Sequence, residues 1–176
     1  MRTNSKLKQL IVIAMLIAVE MILTRFFCIQ FPTLRISLGF IPIAVCAILY
    51  GPIWAGLAYA ASDFIGASLF SPYPPFPGLT FSAFLTGICW GFFLHKKNIP
   101  LSERTVSIKE AVIPALIIGI VINLILDTYW LFLINHAGIL GMLPVRLLKV
   151  CITIPLQIAI VPLVWNKLIK MANTLV

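Results

Sequence analysis

Six apolar runs, separated by short polar or proline- and glycine-rich stretches, divide the chain. The first extends from about Leu7 to Cys28. The second, from about Leu38 to Tyr50, is short for a membrane span, which needs about 20 residues. Gly51–Pro52 breaks the chain and opens a third run that reaches Phe70. A fourth covers Gly78 to Leu94, and the polar connector HKKNIPLSERTVSIKE follows it. Ser107 and Glu110 have the spacing of a capping box, which predicts that a fifth helix starts there and continues to about Asn135. The sixth runs from about Pro144 to Met171, past Pro155 and Pro162, where bends are expected.

Composition turns these runs into membrane spans. Of 176 residues, 61% are hydrophobic and only 10% charged, and the mean hydropathy is +1.10, well above a soluble domain. The expected fold is all-α, an integral membrane bundle of six transmembrane helices forming one domain over residues 1–176. Arg2, Lys6 and Lys8 before an apolar core give the first run the look of a secretory signal. Its length, the interruption at Glu20 and the lack of a small-residue cleavage site favour a retained helix. Cys28, Cys46, Cys89 and Cys151 stand singly in apolar segments and read as small buried hydrophobes.

The formal charge of +8 follows the membrane as well. With both termini in the cytoplasm, nine of the 13 basic residues lie inside: Arg2, Lys6, Lys8, Lys96, Lys97, Arg104, Lys109, Lys167 and Lys170. That distribution predicts an N-in, C-in topology and leaves no reason to expect nucleic acid as a partner. Arg25, Arg35, Arg146 and Lys149 are left toward the outside and need another explanation.

Charges at membrane depth are costly, so they line a cavity, pair, or meet a partner. Arg25, Asp63, Asp127, Arg146 and Lys149 converge on one leaflet from four helices, and only Glu20 falls nearer the middle of its span. Internal salt bridges are one account of them. Bases remain in excess even so, which suits an anionic ligand with a polar head. Helical spacing adds Asn123, Asp127 and Trp130 on one stripe, Arg146, Lys149, Thr153 and Gln157 on another, and Ser82 with Thr86 on a third near Thr80. Together they outline a polar cleft open to the outside. Phosphate-loop, zinc-protease and nucleophile-elbow motifs are absent, and His95 and His136 read as solvated, so the chain is expected to bind and to catalyse nothing. In the first helix Ala14 and Ala18 form a small-residue stripe that admits another helix, from this bundle or from a partner. Glu20 points the opposite way.

Several stretches carry a family resemblance: LTRFF (23–27), LRISLGFIPIAVCAILYGPIWAGLAYAASDFIG (34–66), FPGLTFSAFLTG (76–87), and the later LDTYWL and LPVRLLK. The chain resembles the substrate-binding S components of energy-coupling-factor vitamin transporters, most closely the folate-specific branch. The resemblance implies a six-helix protein in the cell membrane, without a cofactor. It would capture folate from outside and dock on a transmembrane coupling subunit and two ATPase subunits, with Ala14 and Ala18 facing the coupling subunit. Toppling in the membrane would then present its site to the cytoplasm.

Folate also suits the charges. A carboxylate of Asp63 or Asp127 would accept paired N–H groups of the pterin. Trp130, Phe76, Tyr129 or the guanidinium of Arg25 would stack on its rings, and Arg35, Arg146 and Lys149 are candidates for the glutamate tail. Family members often carry a neutral Asn where this chain has Asp127, which favours Asp63 for the pterin and a structural pairing of Asp127 with Arg146 or Lys149. The candidate substrate-binding residues are therefore Arg25, Arg35, Asp63, Phe76, Gly78, Thr80, Ser82, Trp130, Arg146 and Lys149. An S component for thiamine, riboflavin or a queuosine precursor is the alternative within the class, and a membrane scaffold that binds no ligand is the alternative outside it. A thiazolium cation fits the basic cleft poorly. The proline-rich strap Ser71–Pro77 is expected to lie over the cleft as a preorganised lid, with free N–H groups near Thr80 at the start of the fourth helix.

Overall fold

The computed structural model describes residues 2–30, 35–70, 75–96, 99–100, 104–135 and 139–174. Its helices are α1 (Arg2–Arg25), α2 (Phe40–Tyr50), α3 (Pro52–Phe70), α4 (Pro77–Leu94), α5 (Ile108–Ile117), α6 (Asp127–Asn135) and α7 (Ile139–Thr174). A π-helical stretch, Ile118–Leu126, joins α5 to α6 without a break, so the two form one rod. Counted this way the bundle has six helices, five of them long and apolar enough to cross a membrane, with α2 the short one. The fold is the expected all-α membrane bundle.

Boundaries follow local chemistry. Gly51 ends α2 at a φ of +89°, a left-handed conformation that a side chain disfavours. Pro52 then opens α3 with its φ already set. At Ser107 the backbone N–H donates to Glu110 Oε2 at 3.1 Å, the Glu-supplied half of the expected capping box. α7 begins at Ile139, five residues before the expected Pro144, and carries Pro144, Pro155 and Pro162 inside it.

Two elements were not expected. Cys28–Gln30 (β1) and Arg35–Ser37 (β2) form an antiparallel hairpin between α1 and α2, with Ile29 opposite Ile36. Strands of three residues are too short to leave a periodic trace, and pairing comes from their partner. The π stretch is equally silent, since IGIVINLIL reads as an ordinary apolar helix.

The core centres on α2, where Ile43, Cys46, Ala47 and Ile48 are wholly buried, and continues through Ala55, Trp90, Ala115, Ile118, Val161 and Trp165. α3 and α4 approach through small residues. A Cβ on Gly87 would lie 2.6 Å from the carbonyl carbon of Ala55, and one on Gly91 2.5 Å from the nitrogen of Pro52. At the end where α2 and α4 finish, the connector to α5 is tied down. His95 Nδ1 and Arg104 Nη1 both donate to the carbonyl of Ile48, at 3.0 and 2.5 Å. Asn166 of α7 accepts from the N–H of Val106 and donates to its carbonyl, each at 3.0 Å. Trp165 Nε1 donates to the carbonyl of Arg104, and Lys96 pairs with Glu110 at 2.6 Å. His95 is thus a half-buried cap on α2 instead of a solvated ring.

Candidate functional site

The opposite end, where α4 and α7 begin, gathers the polar groups. Asp63 on α3 accepts a hydrogen bond from Thr80 Oγ1 of α4 at 2.9 Å. One turn further along α3, Gly66 leaves room for Arg25, and a Cβ there would lie 2.8 Å from Nη2 of its guanidinium. Arg25 is therefore packed onto the helix that carries Asp63. Ala14 and Ala18, on the same helix, are exposed, while Glu20 is 3% exposed and faces inward.

Aromatic groups close the neighbouring wall. Gly78, in the first turn of α4, lies under the indole of Trp130, with Phe76 beside both. The Phe76 and Trp130 rings are 5.8 Å apart and tilted by 56°. Tyr129 stands edge-on to Trp130 at 5.1 Å but is 52% exposed, so it turns outward. The N–H groups of Leu79 and Thr80 are bonded to the carbonyl of Phe76, at 3.0 and 3.4 Å. The hydroxyl of Thr80, and not the free backbone N–H groups expected near it, is what α4 turns toward the cleft.

Hydroxyls that spacing could not rank now separate into two kinds. Thr86 and Thr153 bond back to carbonyls one turn earlier, Ser82 at 2.9 Å and Lys149 at 2.7 Å, and have a local role. Ser82 Oγ is buried and makes no hydrogen bond of ordinary geometry among the described residues; the same is true of Asp127 Oδ1 and Trp130 Nε1. The charge of Lys149 acts on Asp127, with the Ser82 hydroxyl as its polar neighbour and the charges of Arg146 and Asp63 acting on it as well. A hydroxyl, a carboxylate oxygen and an indole N–H thus sit beside the Asp63–Thr80 pair with bonding capacity unspent. Burying such groups without partners costs about 1–3 kcal/mol each, so their grouping in one place calls for a reason.

The bases of α7 also reach the rod that carries Asp127. Arg146, 5% exposed, donates to the backbone carbonyl of Asn123 at 3.2 Å, and Lys149 Nζ donates to Asn123 Oδ1 at 3.1 Å. Asn123 Nδ2 in turn donates to the carbonyl of Ile118 at 3.0 Å. Asn123 lies in the π stretch, where the wider turn changes which carbonyls are taken within the helix. Gly119 in the same stretch lets Ile154 of α7 come close. The two bases therefore grip the rod one turn before Asp127, on which their charges also act. Arg35 occupies β2 opposite Gln30, but its side chain lies outside the described residues. So do Ser71–Pro74 of the strap and His136. Phe76 leads extended into α4.

Residues 4–170 match the family described as ECF-type riboflavin transporter, S component. The chain is 32% identical over 161 residues to a folate transporter FolT of Clostridium novyi (strain NT), covering 92% of this chain and 90% of that one. It is 29% identical over 160 residues to a folate transporter FolT of Leuconostoc mesenteroides subsp. mesenteroides, covering 87% of this chain and 82% of the other. Among solved structures it is similar to a crystal structure of FolT bound with folic acid. That likeness has a TM-score of 0.81 at 32% identity and spans 91% of this chain and 93% of that one.

Proposed function

The chain belongs to the S-component family of ECF-type transporters, and from that premise we propose that it is the folate-binding membrane subunit of such a transporter. One observation carries the ligand-binding reading: the buried Ser82 Oγ, Asp127 Oδ1 and Trp130 Nε1, none with a hydrogen bond of ordinary geometry among the described residues, beside the Asp63–Thr80 pair. A pterin edge offers N–H donors to a carboxylate and a carbonyl to an N–H donor, which complements this set. Trp130 and Phe76 supply the aromatic wall, with Gly78 the floor beneath it. The names of the two transporter relatives and of the solved structure support folate over riboflavin, which gives its name to the matching family.

The glutamate tail carries two carboxylates. Arg146 and Lys149, with Arg35, form the basic side that such a tail would meet. Arg25, seated on Gly66, supplies a flat cation near the pterin end. The cleft faces outward in the N-in, C-in arrangement favoured by the basic residues at the other end. The partners are a transmembrane coupling subunit and two ATPases, with Ala14 and Ala18 as the contact stripe. The chain's work is transport and not catalysis.

Titration calorimetry of the purified full-length protein tests the reading. Folate is expected to bind with a sub-micromolar Kd, on the order of −8 kcal/mol or better, and riboflavin to give no heat. Absence of heat with folate at micromolar concentration would reject it and favour a scaffold role or another vitamin, which the riboflavin arm begins to sort.

A further inference from the structure

α1 is the least buried of the long spans, and the buried residues described on it are Ile13 and Glu20. An acid, 3% exposed, is thus one of the two fully buried residues described on α1, beside Leu16 and Ile17, which pack partly against the core. Two elements meet it there. Ser62 Oγ of α3, itself 1% exposed, donates to Glu20 Oε2. Gly39, the residue before the first turn of α2, lies so close that a Cβ would stand 2.8 Å from Glu20 Oε1 and overlap Thr24 Cγ2. The φ of Gly39 is an ordinary −61°, so space alone requires the glycine.

Ser62 precedes Asp63 in the chain. A helix with its side chains has a radius of about 5–6 Å, so a 10° rotation of α3 moves a carboxylate at its rim by about 1 Å. Fixing Ser62 Oγ fixes that rotation. Glu20 also sits where the N–H groups of α2 emerge, a place that favours an acceptor or a negative charge. Hydrophobic contact between α1 and α3 carries no such angular restraint, because it has no direction.

We propose that Glu20 is a positioning residue: through Ser62 it sets the rotation of α3, and hence the placement of Asp63 against Thr80, while seating the start of α2 at Gly39. The affinity arm of the test rests on the folate reading above; the exchange arm does not. Glu20→Ala, Glu20→Gln, Ser62→Ala and the Glu20→Ala/Ser62→Ala double variant of the full-length protein would be titrated with folate well below their unfolding temperatures. Each alanine variant is expected to raise Kd about tenfold, and the double variant no further than about twofold beyond Glu20→Ala, as residues acting through one bond behave. Glu20→Gln keeps an acceptor for Ser62 and is expected to recover most of the affinity.

A purely structural acid would lower the unfolding temperature and leave Kd within twofold of the parent, which would overturn the proposal. Additive losses, or a Gln variant as weak as the Ala variant, would do the same. If Glu20→Ala fails to fold, Ser62→Ala carries the comparison. In the ligand-free protein, hydrogen exchange of residues 39–43 and 59–66 should quicken in Glu20→Ala while 143–160 stays unchanged; uniform or absent quickening would refute it. Should the parent protein not bind folate, the transport reading falls and exchange alone decides the role of Glu20.

Discussion

Ser82 and Thr86 differ by one helical turn and share a face, yet only Thr86 spends its hydroxyl, on the carbonyl of Ser82. That difference makes an unusual expectation for Ser82. Removing a buried hydroxyl without a partner relieves a cost, so Ser82→Ala should leave the ligand-free protein as stable as the parent or raise its unfolding temperature. The same change should weaken folate binding about tenfold, the worth of one hydrogen bond. Thermal unfolding and calorimetry on one preparation check both halves, and a loss of stability with unchanged affinity would make Ser82 an ordinary core residue. The sequence placed Ser82, Thr80, Asp63 and Trp130 in one region through helical spacing, since period and depth are local properties. It could not tell which groups satisfy one another. Asp127 feels the charges of Arg146 and Lys149, the partners suggested for it, while both bases also bond to Asn123, an arrangement that depends on how two helices turn toward each other.

Four of the six apolar runs could be read as elements to within a few residues, and the first and the last each start five residues earlier than expected, because length, apolar content and Gly–Pro breaks are written locally. The π stretch and the hairpin were invisible for the opposite reason. Nothing in IGIVINLIL distinguishes a wide turn from an α turn, and neither CIQ nor RIS alternates long enough to be seen. Packing between elements is legible only in part. Glycines in α4 are common membrane-helix residues, but their partners on α3 emerge from the fold, where Gly91 meets Pro52. Gly91→Ala places a methyl group against backbone that cannot yield, and overpacking of this kind costs about 1–3 kcal/mol. A lower unfolding temperature in detergent is the expected result. An unchanged one would mean that α3 and α4 can slide apart without loss.

The whole bundle presents different surfaces at its two sides and its two ends. Ala14 and Ala18 are exposed on α1, so bulky residues there should leave the interior intact. Ala14→Trp with Ala18→Trp is expected to abolish folate uptake in cells while the purified protein binds folate within about twofold of the parent, too small a change to count as a lost contact. Loss of binding as well would place the stripe inside the bundle's own packing. At the end remote from the cleft, Arg104, His95 and Asn166 bind the connector to α2 and α7. Because His95 follows α4 and caps α2, those two helices finish level. They do not start level. With 18 residues against 11, α4 is about 10 Å longer than α2 at 1.5 Å per residue. The hairpin of β1 and β2 precedes α2 at that end, and strand backbone within a membrane is tolerated beside water and not beside lipid. A ligand seated over the start of α2 would lie about 10 Å deeper than one level with the start of α4, about a third of a 30 Å hydrocarbon layer.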